Sequence, residues 1–273
     1  LVATDGTVTS LAGNGSAGYI DDTGAKARFN TPYSIAVTPA GVAYVADYGN
    51  HRIRKISPLG KVTTLAGSTN GYADGVGNKA QFSLPIGIGL DSLGNVFVSD
   101  YNNHRIRKVT PDGVVTTVAG SGIAGLLDGD LANARFQYPW GIAVGQDGAV
   151  YVADRYNHRM RKIAGGQVTS WAGSGTPGWL DGPAPQARFY FPDNVAVDTQ
   201  GWLWVADGHN HRIRKVRATA LSCDIGKVCY SNGVANPGAA CGFCDGAKTP
   251  AQWTPKVDAA ACIDGDYCTA NDA

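Results

Sequence analysis

The sequence predicts an all-β fold, a β-propeller of four-stranded blades followed by a small cysteine-rich tail. Three observations lead to this prediction. A unit of 53 or 54 residues occurs four times, and all six cysteines lie between Cys223 and Cys268. Glycine accounts for 37 of the 273 residues, about twice the ordinary share of ~7%, which indicates many turns. We therefore expect two domains, a repeat body at residues 1–217 and a disulfide-stapled tail at residues 218–273.

The repeat is defined by markers that recur in a fixed order, and a fixed period decides the architecture. Each unit contains Asn-His-Arg-Ile-Arg-Lys, with Met160 in place of Ile in the third copy. The marker histidines, which are 53, 54 and 53 residues apart, are His51, His104, His158 and His211. The marker aspartates, each at the end of Val-Ala-Asp or Val-Ser-Asp, are Asp47, Asp100, Asp154 and Asp207. Upstream of them, Phe-x-x-Pro begins at Phe29, Phe82, Phe136 and Phe189. Val-Thr-x-x-Ala-Gly ends at Gly13, Gly67, Gly120 and Gly173.

Each unit is predicted to form four strands, because runs rich in Val, Ile, Thr and Tyr alternate with Gly, Pro, Asp and Asn. In the first unit the strands are expected at residues 34–38, 43–47, 52–57 and 61–66. The first and second strands have apolar residues on both faces, as Ile35, Ala36 and Val37 show. A sheet that is apolar on both faces must be covered on both, which a radial stack of blades achieves.

The strand count also predicts how the ring closes. The chain starts with a strand of the fourth type at residues 7–12, and its last unit stops after a strand of the third type at residues 212–216. If these two strands pair, four complete blades form and no sheet edge stays open. The alternative is part of a larger ring whose other blades are absent or belong to another chain, since four lies at the small end of the usual range of ~4–8.

The marker segments resemble a known family. Pro-x-x-Ile-Ala-Val, followed by Val-Tyr-Val-Ala-Asp-x-x-Asn-His-Arg-Ile-Arg-Lys, is similar to the NHL repeat of β-propellers. The connecting Ala-Gly-Ser-Gly, Asp-Gly and Ala-x-Phe elements resemble those of bacterial secreted and plant NHL proteins. The blade number departs from the family, whose propellers commonly have six. The resemblance implies interaction surfaces for proteins, RNA or glycans, with catalysis in a minority.

One rim of the propeller is predicted to bind ligand. This upper rim contains the entries to the innermost strands and the turns between the second and third strands. The long connections between blades, such as residues 67–86, are expected there too, and such loops often contain binding residues. The positions that follow the marker prolines and aspartates differ among the units, as an asymmetric ligand requires. The predicted ligand-binding residues are Tyr33, Tyr48, Tyr101, Trp140, Arg155 and Asp193. Such aromatics suit sugar faces or peptide side chains, and the alternative is that they only cover the mouth.

The repeated charged residues are interpreted as structural. Zinc bonds of ~2.0–2.1 Å cannot join four histidines that lie two strands away from the axis, so we expect turn-fixing hydrogen bonds between the histidines and the marker aspartates. The basic residues Arg52, Arg54 and Lys55, with their copies, are predicted to form a solvated outer stripe with weak ion pairs.

The connections contain no recognisable ion or catalytic motif. Their acidic pairs are Asp21-Asp22, Asp74-Gly75, Asp128-Gly129 and Asp181-Gly182. They lack the ligand series of a helix-flanked calcium loop, and capped turns are the simpler interpretation, although calcium binding stays open. No nucleophile elbow, phosphate loop or paired-histidine motif occurs. We therefore predict no catalytic residue, no metal ligand and no cofactor.

The tail is predicted to be held by disulfides, because a segment of this size rarely supports a core of its own. The cysteines are Cys223, Cys229, Cys241, Cys244, Cys262 and Cys268. Only Cys241 and Cys244 have the short spacing of a zinc site, and no histidine follows His211. Six cysteines allow many connectivities, so no pairing is assigned. Disulfides point to an oxidising compartment.

Charge excludes a general attraction to nucleic acid or to anionic membranes, since 23 basic and 22 acidic residues give a net charge of +1. No apolar run approaches the ~18 residues of a membrane span. Leu1 opens no signal-peptide pattern, so either the chain is processed or its export signal is not shown.

We expect a non-enzymatic binding or assembly module, extracellular or at the cell surface, that recognises a protein or glycan at the mouth. The alternatives are a lyase- or hydrolase-type propeller enzyme with a metal-dependent site at that mouth, and an RNA-binding propeller. The assembly state stays open.

Overall fold

The computed structural model of the protein describes residues 6–217 and two short strands, Cys223–Ile225 and Val228–Tyr230. The propeller unit ends at Val216. The side chains of the two short strands and the rest of the tail lie outside the described part. The disulfide prediction for the six cysteines therefore stays a prediction.

The body consists of four antiparallel sheets in a propeller arrangement, as predicted. The first blade contains β1 (Pro32–Val37), β2 (Ala43–Asp47), β3 (Arg52–Ile56) and β4 (Val62–Ala66). The second contains β5 (Gly75–Val76), β6 (Pro85–Leu90), β7 (Val96–Asp100), β8 (Arg105–Val109) and β9 (Val114–Ala119). The third contains β10 (Gly129–Asp130), β11 (Pro139–Val144), β12 (Val150–Asp154), β13 (Arg159–Ala164) and β14 (Gln167–Ala172). The fourth contains β15 (Pro192–Val197), β16 (Trp202–Asp207) and β17 (Arg212–Arg217). In the first blade the predicted strand bounds differ from these by at most two residues.

The second strands form the core of the blades. β2, β7 and β12 are buried at every position. Successive side chains of a strand point to opposite faces of the sheet, so both faces of these blades are covered. The propeller arrangement predicted from strands that are apolar on both faces is thus confirmed.

Neighbouring blades pack face to face. Each blade has two faces. We call the face that packs against the next blade its covering face, and the face against which the preceding blade packs its receiving face. Tyr44, Ala46 and Ile53 form the covering face of the first blade, and Phe82 and Ile88 belong to the receiving face of the second. The same contact recurs between the second and third blades. The hydrophobic core therefore lies between blades.

The N-terminal segment does not close the ring within the described residues. The last sheet has three strands, and residues 7–12 are not among them. The innermost strands pack side by side in the order β1, β6, β11 and β15, but β15 does not pack against β1 in this way. Ile213 corresponds to the buried Ile53 and is 70% exposed. Among the described strands the predicted pairing of residues 7–12 with residues 212–216 is therefore not observed, and the blade faces that it would bring together are exposed.

Three of the four marker phenylalanines are completely buried, as expected for anchors of the connections. These are Phe82, Phe136 and Phe189. Phe29 is only half-buried, because no preceding blade covers the face on which it lies.

The long connections run along the outer edge of the next blade. β5 pairs with β9, and β10 pairs with β14, which are the last strands of their blades. In the first connection a short 3-10 turn, Gly77–Lys79, follows the edge strand. Backbone pairing thus holds these parts of the connections on the sheet edges. The expectation that the long connections lie on the upper rim is wrong for these segments.

The middle arginine of each basic segment is buried, which corrects the prediction of a solvated stripe. Arg54, Arg107 and Arg161 are completely buried, and Arg214 is 8% exposed. The Arg107 guanidinium lies between two carboxylates, with Nη1 2.7 Å from Asp100 Oδ2 and Nη2 2.6 Å from Asp74 Oδ1. The two carboxylates compensate for the charge that burial removes from water. The pair with Asp100 is therefore a buried structural ion pair, whereas the pair with Asp74 reaches the surface on its carboxylate side.

A bulge explains why the arginine turns inward. The register of β8 with β9 shifts between Ile106 and Arg107, and both of these neighbouring side chains are buried. A bulge interrupts the strict alternation of side chains between the two faces. The same shift occurs in the first and third blades.

Replacing Arg107 with alanine is expected to lower the free energy of unfolding by about 3–5 kcal/mol, because the Asp100 carboxylate stays buried without its cation. Lys108→Ala is the matched control on the same strand and is expected to cost less than about 1 kcal/mol, since its side chain is partly exposed. Urea denaturation followed by tryptophan fluorescence measures both values. Similar losses in the two variants would contradict the assigned role of Arg107.

Candidate functional site

Each marker aspartate fixes the turn that follows its strand. Asp100 accepts hydrogen bonds from Asn103 Nδ2 at 2.9 Å and from the backbone N–H of Ser83 at 2.8 Å. The turn itself is a single turn of 3-10 helix, Tyr101–Asn103. The equivalent bonds occur in the other three blades. The marker aspartate thus joins the two segments that form the upper rim, the turn and the entry to the innermost strand.

The marker histidine ends this turn and contacts the next blade. His104 has a φ of 53°, a left-handed conformation that residues with a β-carbon rarely adopt. Its Nδ1 accepts a hydrogen bond from the backbone N–H of Tyr138 at 3.2 Å. His51 and His158 bond the next blade in the same way. The histidines are therefore structural, as predicted, but their partner is the next blade and not the marker aspartate.

The structure brings the six predicted ligand-binding residues into one group, which we call the rim cluster. Tyr33 lies 4.8 Å from Tyr48 and 5.7 Å from Trp140, measured between ring centroids. Tyr101 also contacts Trp140, with 5.4 Å between the ring centroids. Most of these ring pairs are edge-to-face, the arrangement that aromatic quadrupoles favour. Trp140 is thus the central ring of the cluster.

The rim cluster includes one ion pair. Arg155 Nε lies 2.7 Å from Asp193 Oδ1, and the Arg155 guanidinium lies 4.5 Å from the Trp140 ring. The side chain of Arg155 is 16% exposed and that of Asp193 is 38% exposed. The cluster therefore combines residues of all four blades and contains an aromatic part and a charged part.

The rings of the cluster are only partly covered. Tyr33 is 49% exposed, whereas Tyr48, Tyr101 and Trp140 are half-buried. Burial, and next the neighbouring Tyr156, raise the pKa of Tyr101 to about 12. Its hydroxyl group therefore stays protonated at neutral pH and remains a hydrogen-bond donor.

The sequence did not predict a second row of rings beside the cluster. Tyr138 lies 4.9 Å from both Tyr101 and Tyr156, and Phe191 lies 5.0 Å from Tyr156. Tyr138 and Phe191 directly precede the marker prolines, where the first blade has Thr31. The variation at this position among the units was the signal that identifies it as part of the rim.

Glycine permits the innermost strands to approach closely next to the cluster. A β-carbon at Gly87 would lie 2.1 Å from the backbone oxygen of Trp140. At Gly141 it would lie 2.5 Å from the α-carbon of Asn194. No side chain fits at either position. The tight packing fixes the backbone of Trp140 between the blades on both sides.

The described residues contain neither a metal-binding cluster nor a membrane-spanning helix. No group of three or more His, Cys, Asp or Glu side chains there is placed to hold a metal ion. Asp74, from an Asp-Gly pair, accepts hydrogen bonds from Arg107 and from the Thr117 backbone, so its role is to bind the arginine of its own blade. In this part of the chain no helix has the length and apolar character to cross a bilayer.

Comparison with known proteins places the markers in a family. The model described as NHL repeat matches residues 29–56, 82–109, 136–163 and 189–216. The protein SUPPRESSOR OF QUENCHING 1, chloroplastic, of Arabidopsis thaliana is 30% identical over 229 residues, which cover 77% of this chain and 22% of that protein. NHL repeat-containing protein 2 of Homo sapiens is 30% identical over 247 residues, which cover 76% of this chain and 34% of that protein. The chain thus spans about a fifth to a third of the length of these relatives.

A solved structure shows the same fold. An auxiliary nutrient binding protein from Bacteroides ovatus superposes with a TM-score of 0.57 at 21% identity, over 78% of this chain and 56% of that chain. At this identity the likeness extends to the fold alone.

The histidine contacts predict a pH dependence. Burial lowers the pKa of His104 below its ordinary value of 6.5, so below about pH 6.5 the unfolded chain binds a proton that the folded chain does not, and stability falls as the pH decreases. His104→Asn keeps an acceptor oxygen and tolerates the left-handed conformation but does not titrate. We expect the difference in melting temperature between about pH 7.5 and about pH 5.5 to be smaller in this variant than in the wild type.

The exposed Leu59, which does not titrate, provides the control variant Leu59→Ala, which is expected to keep the wild-type pH dependence. An unchanged pH dependence in His104→Asn would show that this histidine does not contribute.

Proposed function

Because the chain is an NHL-repeat β-propeller, we propose that it is a non-enzymatic binding or assembly module that recognises a protein or a glycan through the rim cluster. The observation behind the proposal is the convergence of six side chains from four blades at one surface. Partly exposed Tyr and Trp rings, next to an Arg, have the composition of recognition surfaces. The members differ from blade to blade, so the surface is asymmetric although the scaffold repeats.

The chemistry of the rim supports binding more than catalysis. General acid–base catalysis needs a titratable group that is free to exchange a proton with substrate. The Nδ1 atoms of His51, His104 and His158 accept hydrogen bonds from the next blade. Asp193, the acidic member of the rim cluster, is paired with Arg155. The rim cluster therefore offers ring faces and one polar pair to a ligand, and we favour the binding role over a lyase or hydrolase.

The basic residues of the third strands give little support to RNA binding. Their middle arginines are buried. The first arginines are also engaged, since Arg52 lies 4.0 Å from the Tyr19 ring, Arg105 3.8 Å from Tyr72 and Arg212 4.0 Å from Trp179. Phosphate contacts require cations that are accessible to the nucleic acid. We therefore do not favour a nucleic-acid ligand.

The extracellular part of the proposal is supported by the six cysteines of residues 218–273, because disulfide-rich segments of this size occur in oxidising compartments. The extracellular assignment is independent of the rim cluster and has a separate test.

Trp140→Ala is expected to weaken binding by more than about 2 kcal/mol, roughly 30-fold, because Trp140 is the central ring of the cluster. Leu59→Ala is the matched control, since Leu59 is an 88% exposed apolar residue in a turn on the opposite rim. Labelled wild-type protein is first applied to glycan and peptide arrays, and both variants are then titrated against the best hit of each array. Equal affinities of wild type and Trp140→Ala, or no binding on either array, would contradict the proposal.

The tail cysteines are expected to form three disulfides without metal. The purified protein is unfolded in denaturant and alkylated. Its mass should not increase without prior reduction and should increase by six alkyl groups after reduction. Metal analysis should detect no stoichiometric zinc. Alkylation without reductant, or zinc near one ion per chain, would contradict the extracellular assignment and leave the rim proposal untouched.

A further inference from the structure

The receiving face of the first blade is open. Ile35 and Val37 on β1 are 60% and 57% exposed, although their counterparts Ile88 and Leu90 on β6 are buried or half-buried. A cavity of about 300 Å³ lies on this face, and its lining is predominantly apolar. The residues that line it include Ala12, Phe29, Tyr33, Ile35, Val45 and Ile56.

The other blades show what fills such a face. On the second blade, the equivalent surface around Ile88 and Phe82 is covered by Tyr44, Ala46 and Ile53 of the first blade. On the third blade it is covered by the corresponding residues of the second. The face therefore fits a surface with one large ring, one small residue and one aliphatic side chain at the positions of a covering face.

The chain presents such a surface at its other end. Trp204 and Ile213 of the last blade correspond to Tyr44 and Ile53, and they are 43% and 70% exposed. The Trp204 ring is fixed at the surface, because its Nε1–H donates to Asp198 Oδ2 at 3.0 Å. The two open faces of the chain thus have the two complementary halves of an established contact.

We propose that a second copy of this chain docks its covering face, with Trp204 and Ile213, on the receiving face around Ile35. Such a contact joins two different surfaces and is heterologous, so it produces a ring or an open head-to-tail assembly according to the rotation between copies. The net charge of +1 gives little repulsion between copies. The contact buries apolar residues that are otherwise in water at both ends of the propeller.

The test measures molar mass by size-exclusion chromatography with light scattering over a range of protein concentrations. The wild type is expected to have the mass of two or more chains, and Ile35→Asp and Ile213→Asp are each expected to weaken association at least ~30-fold. Leu59→Asp, an exposed residue outside both faces, is the control and should associate like the wild type. The substituted side chains are exposed, so each variant is expected to fold. Melting temperatures close to that of the wild type check this.

A mixture of the two variants distinguishes head-to-tail contact from other modes. Ile35→Asp retains an intact covering face and Ile213→Asp an intact receiving face, so the mixture should associate although neither variant does alone. A monomeric wild type, an effect of only one substitution, or an assembly held by interchain disulfides on a non-reducing gel would overturn the proposal.

Discussion

The buried guanidinium between two carboxylates is the interaction on which the rest of each blade depends. In the second blade, Arg107 binds Asp100 and Asp74 and also donates to the backbone oxygens of Gln81 and Ala73. It thus joins the third strand, the marker aspartate and the connection that arrives from the preceding blade. A buried charge without partners costs far more than a single hydrogen bond contributes. The sequence must therefore supply both carboxylates with each arginine, which explains why the Asp of the connection and the marker aspartate recur together.

The rim follows from this network. The marker aspartate that binds the arginine also holds the 3-10 turn and the entry to the innermost strand, and these are the segments from which the rim cluster projects. The marker histidine then bonds the entry segment of the next blade, as His104 does with Tyr138. The repeated residues thus set the backbone of the rim, while the residues directly after them are free to differ. A common scaffold with individual side chains is what places Tyr33, Trp140 and Asp193 at equivalent positions of different blades.

Strands and blades could be predicted because each is encoded in local sequence and repeated four times. The position of the rim cluster followed from the repeated Pro and Asp markers that its members follow. Arg107 was misjudged because a bulge beside Ile106 breaks the alternation of side chains, and a bulge has no signature in the residues themselves. Counting strands gives the number of blades but does not show how the first and last blades pack, because that packing depends on contacts between residues far apart in the sequence. Tyr138 and Phe191 precede the marker proline instead of following it, so the rule that predicts the rim cluster does not include them.

The edge pairing of the connections has a consequence for the energetics of recognition. β5 leaves the first blade and pairs with the outermost strand of the second, and β10 does the same between the second and third blades. Because the innermost strands of these blades also pack at the axis, the first three blades are joined at their inner and outer margins. Rocking of one blade against the next would break hydrogen bonds at one margin and apolar contacts at the other. The cluster rings therefore stand on a surface that has little conformational freedom to lose when a ligand arrives. Most of the entropy cost of complex formation then falls on the ligand, and a stiff ligand would be bound more tightly than a flexible one that makes the same contacts.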